Sequence, residues 1–172
     1  MRVPGVGDDG ADFAAFYEER RDACLRAVAV IVGDREGAED LVAEAFARAW
    51  ARWPHVRCHP APSAWVVRTA LNTRVSWWRR RRREVEWGDH DPPDLERAGD
   101  TIDGTLLAAL QRLPVRQREV IALRTLLDLD TETTAGALGI APGTVTSHLA
   151  RAVATLRRAA PHDPSPPMEV TR

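Results

Sequence analysis

The 172-residue chain contains no lysine: all 24 of its basic residues are arginine. Together with abundant alanine, this fits a GC-rich genome as readily as a chemical requirement. Its two cysteines, Cys24 and Cys58, cannot build a disulfide framework, and they fit a reducing compartment. No apolar stretch approaches the roughly 20 residues that cross a bilayer. No basic start followed by a long apolar run marks a secretion signal. The expectation is a soluble, cytoplasmic chain without membrane insertion. Long β-branched runs are also missing, and Ala and Leu dominate the apolar set, which favours helix over strand. Ser, His and Asp occur, but no strand–turn–helix nucleophile elbow or Gly-rich phosphate loop holds them, so an enzyme is not expected. His55, Cys58 and His59 share one short segment without a clear fourth ligand, so neither a metal nor another cofactor is expected. Cys24 reads as a small apolar core residue.

What is present is enough apolar matter for packed cores, 44% of the residues. The length suits two small helical domains better than one bundle. The net charge of −1 conceals strong patterning. Residues 1–60 carry −3, 61–87 carry +5, 88–105 carry −5, 106–160 carry +3 and 161–172 carry −1. Two basic blocks separated by an acidic one predict two anion-binding surfaces.

The first 11 residues, with three Gly and a Pro, read as a disordered leader. Helical patterning runs from Asp12 to Val32, and Gly33-Asp34 breaks it. Asp34 is a candidate N-cap for a second helix with Glu36 in its first turn. There Ala38, Leu41, Val42, Ala45, Phe46, Ala49, Trp50 and Trp53 recur at the spacing of one buried face. Pro54 is expected to end that helix, and 54–62 reads as a loop. Ser63 is expected to cap a long helix to Arg83, with Trp65, Val66, Thr69, Ala70, Thr73 and Trp77 on one side. Arg68, Asn72, Ser76, Arg79 and Arg83 fall within roughly 80° of one another. Residues 88–104 are a linker by composition. Four helices follow, at 105–112, 115–128, 131–138 and 142–159, and the Pro-rich segment 161–172 reads as a disordered tail. The fold class is therefore all-α: two small helical domains (12–87 and 105–160) joined by a flexible acidic linker.

Residues 130–152 carry the sharpest local signal. Asp130 can cap a short helix ending at Leu138, Gly139 can take the left-handed conformation that stops it, and Pro142 stands at a first-turn position of the next helix. This is helix–turn–helix spacing. In the last helix Val145, Leu149, Ala152, Val153 and Leu156 point inward. Gly143, Ser147, Arg151 and Arg158 point outward, flanked by Thr144 and Thr146. Small polar residues at a helix start can approach base edges, and arginine further along can hold phosphates. An ordinary helical hairpin with a solvated face shares the same spacing. The stripe from Arg68 to Arg83 can likewise neutralise phosphates or be a solvated helix end. Of the six Trp, one or two near the surface beside this stripe can stack on unpaired bases, and helical spacing puts the rest in the core.

Three segments together resemble a known family. FAAFYEER, VGDREGAEDLVAEAFARAWARW and APSAWVVRTALNTRVSWWRR look like the N-terminal promoter-binding domain of sigma factors of the extracytoplasmic-function (ECF) group. LLAALQRLPVRQREVIALR followed by LGIAPGTVTSHLARAVATLR looks like that group's C-terminal domain. The resemblance covers roughly residues 12–160. It implies that Asp40, Leu41, Glu44, Phe46 and Arg48 dock on core RNA polymerase. It implies that the loop 54–62 and the following helix take the −10 promoter element, through Trp65, Arg68, Asn72, Arg74, Ser76, Arg79 and Arg80. It implies that Pro142, Gly143, Thr144, Thr146, Ser147, His148 and Arg151 read the −35 element. Leu113-Pro114 and Arg116–Arg118 match the usual entry to the second domain. The implied partners are core RNA polymerase and promoter DNA, with an anti-sigma factor as a further candidate, since many members of the group are held inactive by one.

Two departures from the family pattern stand out. Basic residues are common where Thr146 and His148 stand, so −35 binding is expected to be weaker or differently specified. An acid and an aliphatic residue are usual at Thr133 and Thr134. Thr134 should face the core, where its hydroxyl needs a partner. Two other readings fit the residues: a stand-alone helix–turn–helix regulator that binds duplex DNA as a dimer, and a polymerase-binding decoy that directs no initiation.

Overall fold

The computed structural model describes the backbone of residues 6–84 and 104–159, and side chains within 9–74 and 104–159. The linker 88–103 and the tail 161–172 lie outside the described residues.

Helix α1 (Val6–Val32) organises the rest. Its last ten residues are apolar apart from Arg26, with Cys24, Leu25, Ala27, Val28, Val30 and Ile31 all buried. A helix of that kind must be covered from more than one direction. Burial pushes the Cys24 thiol up to about 12, so it stays protonated as an inert core group. The helix also begins earlier than the expected leader allows, at Val6 rather than Asp12. Gly7 and Gly10 are poor helix residues. The first turns are nevertheless tied down, since Arg57 donates to Asp9 at 2.6 Å and lies 3.6 Å from Asp12. Gly33, at φ 82°, then takes the left-handed conformation, and its N–H closes the helix on Ala29 O at 2.8 Å.

Helix α2 (Arg35–Ala51) follows from an extended Asp34 whose side chain makes no capping bond. The sequence suggested such a cap, but only the backbone geometry is met. The expected buried face is present in Ala38, Leu41, Val42, Ala45, Phe46 and Ala49. Trp50 departs from it and is half exposed, its ring 5.0 Å from that of Phe13. Pro54 does not end this helix. The helix stops at Ala51, and Pro54 instead sits in the first turn of a short helix α3 (Trp53–Val56), where its missing N–H costs nothing. Helix α4 (Pro62–Glu84) is entered at Ala61, whose carbonyl accepts the Trp65 N–H. Ser63 therefore lies inside the first turn, buried, rather than capping it.

The C-terminal helices are α5 (Gly104–Gln111), α6 (Val115–Ile121), α7 (Thr131–Leu138) and α8 (Pro142–Ala159). The expected single helix 115–128 widens at its end into a π-helical turn, Ala122–Leu126. Asp128 adopts a left-handed φ of 51°, which aspartate tolerates better than most residues. Asp130 caps α7 by accepting the Thr133 N–H at 2.7 Å, and Gly139 at φ 65° ends it. Val120, Ala135 and Val145 form the core of this helix–turn–helix.

The two helical units are packed together. Ala122, Leu123 and Leu127 belong to the N-terminal core, and Val30 of α1 belongs to the C-terminal core with Leu110, Leu113, Ile121 and Ala152. A fully buried Leu is worth about 1.5–3 kcal/mol relative to exposure, so Leu123 and Leu127 give this contact substantial strength.

Thr134 is fully buried, and among the described residues its hydroxyl has no partner. An unsatisfied buried hydroxyl costs about 1–3 kcal/mol. Thr134→Val keeps the shape and removes that group. It should raise stability by about 1 kcal/mol in urea denaturation; a loss of stability would show that the hydroxyl is satisfied.

Candidate nucleic-acid interface

Two surfaces carry the residues singled out for DNA. The first is α4 with the turn before it. Arg68 and Asn72, one helical turn apart, are exposed on the same side. The Arg68 guanidinium donates to the carbonyl of Ala137, at the end of α7, at 3.2 Å. Arg74 is exposed but lies roughly 120° round the helix from Arg68. There it approaches Arg118 of α6. Burial first, and the neighbouring Arg74 charge second, lower the Arg118 pKa. Trp65 is half-buried against the N-terminal core. Ser76, Arg79 and Arg80 lie on the same helix, with side chains outside the described residues.

Before α4, the turn 57–61 is fixed by His59, whose Nδ1 accepts the Ala61 N–H at 3.0 Å. That bond gives His59 a structural role. Among the described residues, no group of three or more His, Cys, Asp or Glu is placed to share a metal ion. A groove of about 640 Å³ opens beside this turn, lined by Phe16, Arg20, Trp53, Arg57 and Ser63 and walled by Leu127–Leu129. The Trp53 indole N–H is buried and has no partner among the described residues. The groove brings the aromatic faces of Phe16 and Trp53 beside Arg20 and Arg57, and it also holds the carboxylates of Asp12, Glu19 and Asp128.

The second surface is the start of α8. Gly143, Thr144, Thr146, Ser147 and Arg151 are exposed, and Pro142 is half-buried at the first turn. The Ser147 hydroxyl donates to Gly143 O at 2.9 Å, and that of Thr146 to Pro142 O at 3.3 Å. Each hydroxyl thus spends its proton on its own helix and presents an acceptor outward. His148 is half-buried, and its Nδ1 is buried with no partner among the described residues. Val145 and Ala152 are buried beneath the row and fix its orientation.

The residues expected to face the polymerase divide. Asp40 is exposed, and Glu44 and Arg48 pair at 2.8 Å on the outer face of α2. Leu41 and Phe46 are buried in the core, so they hold the helix in place rather than present a surface. Sequence reasoning missed Trp50 and Tyr17, both exposed, which join Phe13, Phe16 and Phe46 in an aromatic cluster beside this acidic face. It also missed Gln111, Leu123 and Leu127, which join the two units. No helical period reveals a contact across a linker.

The Asp130 cap sets a pH dependence. Its hydrogen bond from the Thr133 N–H holds the carboxyl below the usual aspartate range. A depressed carboxyl contributes stability that is present above the unfolded value, near pH 4, and lost as pH falls through the folded one. Asp130→Ala should therefore lower the thermal midpoint at pH 7 and make less difference at pH 2. An equal effect at both pH values would show that the cap acts without its charge.

Residues 16–84 match the Sigma-70 region 2 family, and residues 103–156 match Sigma-70 region 4. The RNA polymerase sigma-E factor of Streptomyces coelicolor is 36% identical over 149 residues, covering 85% of this chain and 84% of that protein. The ECF RNA polymerase sigma factor SigL of Mycobacterium tuberculosis is 33% identical over 167 residues, covering 91% and 93%. Among solved structures, the sigma factor RpoE of Bartonella quintana, crystallised with the anti-sigma factor NepR, superposes with a TM-score of 0.69 at 25% identity, covering 86% of this chain and 96% of that one. With both regions in order on one chain, and relatives alike over most of their length, the protein belongs to the extracytoplasmic-function group of the sigma-70 family of RNA polymerase sigma factors.

Proposed function

We propose that this chain binds core RNA polymerase in the cytoplasm, recognises a −35 and a −10 promoter element, and directs transcription initiation without covalent chemistry of its own. The observation that carries the reading is the pairing of region 2 and region 4 in one chain, with an exposed, small and polar helix start in the second.

Each surface then has a task. The outer face of α2, with Asp40, Glu44 and Arg48, docks on the polymerase, where acidic groups suit a basic surface. The start of α8 enters the major groove upstream: Gly143 permits close approach, Thr144, Thr146 and Ser147 reach base edges, and Arg151 holds a phosphate. With Thr146 and His148 in place of basic residues, this contact relies less on charge. Downstream, the groove beside residues 57–63 takes an unstacked base, and Arg68, Asn72 and Arg74 hold the strand, with Ser76, Arg79 and Arg80 continuing along the helix. Taking the base out of the stack assists strand opening.

Two substitutions test the assignment in reconstituted holoenzyme. Arg151→Ala should weaken binding to promoter fragments across sequences and reduce the slope of log affinity against log salt by about 1. An unchanged slope would remove Arg151 from the upstream contact. Asn72→Ala should change the preferred downstream sequence while polymerase binding stays intact. Loss of polymerase binding instead would make Asn72 a structural residue.

A further inference from the structure

The turn before α4 is held by a part of the chain that lies outside the region 2 match. That match begins at residue 16, whereas α1 begins at Val6. Asp9 and Asp12 stand in this earlier stretch, and both face Arg57, the residue that follows α3. The Arg57 guanidinium donates to Asp9 Oδ1 at 2.6 Å and lies 3.6 Å from Asp12 Oδ2. A carboxylate in the first turn of a helix needs no distant partner, because it already meets the positive end of the helix dipole. Its bond to a residue 48 positions away is therefore a tertiary contact that ties α1 to the turn. Arg57 and Asp9 keep 39% and 35% of their side-chain surface exposed. The pair is thus partly withdrawn from the solvent that screens ion pairs at a surface.

This contact decides what Arg57 can do. The residue lines the groove with Phe16 and Trp53, where a bare guanidinium would draw phosphates. Two carboxylates around one guanidinium leave the spot net negative. The other guanidinium of the groove, Arg20, is paired as well, with Glu19 at 2.8 Å, and Asp128 adds a further carboxylate. A neutral group can approach the aromatic faces, while a backbone phosphate meets repulsion. The main chain at the turn is ordered too. The Arg57 N–H donates to Trp53 O at 2.9 Å, and that of His59 to Val56 O at 3.0 Å. The Arg57 side chain then anchors this ordered turn to α1.

We infer that Asp9 and Asp12 are positioning residues for downstream recognition: by holding Arg57 they fix the turn 57–61 and keep its guanidinium off the DNA backbone, so that the groove discriminates bases instead of collecting phosphates. This rests on the reading that the turn meets the downstream element. It goes beyond it by giving the first turns of α1 a share in sequence discrimination.

The test uses the full-length chain in holoenzyme. Binding is measured to promoter fragments that carry the preferred downstream element, taken from mapped start sites, or that element with one base pair changed. Asp9→Asn with Asp12→Asn should lower the affinity ratio between the two fragments by about threefold, in line with the modest worth of a partly exposed pair. The same variant should steepen the slope of log affinity against log salt by about 1, as the released Arg57 takes a phosphate. Adding Arg57→Gln should return the slope to the parent value without restoring the ratio. Exchanging the charges instead, Asp9→Arg with Arg57→Asp, should keep the ratio near that of the parent. The Asn pair should bind core polymerase like the parent and keep its thermal midpoint within about 2 °C. An unchanged ratio and slope would overturn the proposal. So would a lower ratio that comes with weaker polymerase binding and a lower midpoint, since the carboxylates would then only hold the fold. A parent holoenzyme indifferent to the changed base pair would remove the underlying reading of the turn, and the proposal with it.

Discussion

Val30 and Ile31 are neighbours in α1, roughly 100° apart around the helix, and they belong to different cores. Ile31 packs with Val42 and Phe46 in the N-terminal unit, and Val30 with Leu110, Ile121 and Ala152 in the C-terminal one. The arrangement of the chain depends on this division. A helix end whose buried residues point in several directions cannot be satisfied by one partner layer. In this structure α2, α4 and the π-helical turn complete the core that holds Ile31, and α5, α6 and α8 complete the one that holds Val30. The geometry of both proposed DNA surfaces follows, because α4 and α7 meet where those two layers adjoin.

Much of this was legible in the residues. The period of α2, the outward row of α8, and the Asp130 and Gly139 boundaries of α7 come from local rules that need no tertiary information. Thr134 was legible as a core-facing hydroxyl that needs a partner; it is buried, and among the described residues it has none. What failed was of two kinds. Boundary errors arose where tertiary contacts overrode composition: Arg57 holds the glycine-bearing start of α1 in helical form, and Pro54 opens a turn instead of closing a helix. Leu41 and Phe46 were assigned to a binding surface through resemblance, yet their spacing had already placed them on the buried face. The contact between the two units was not legible. Segment 23–32 is apolar apart from Arg26, but that pattern fits a helix buried in one core as well as one shared by two.

The charged residues of the described helices take on a spatial meaning in the fold. The acidic residues of α2 lie on an outer face, away from α4 and α8. One chain can thus present carboxylates to a protein and guanidiniums to a nucleic acid without the two fields cancelling. The absence of lysine matters for the same reason. Arginine keeps its charge and binds with directed donors, as Arg68 does at the Ala137 carbonyl.

The most direct test of the central claim is run-off transcription on a library of genomic fragments, using purified core polymerase with and without this protein. New, discrete start sites sharing two spaced sequence elements are expected, and only when the protein is present. A pattern of starts identical with and without it, while the protein demonstrably binds core polymerase, would contradict the account.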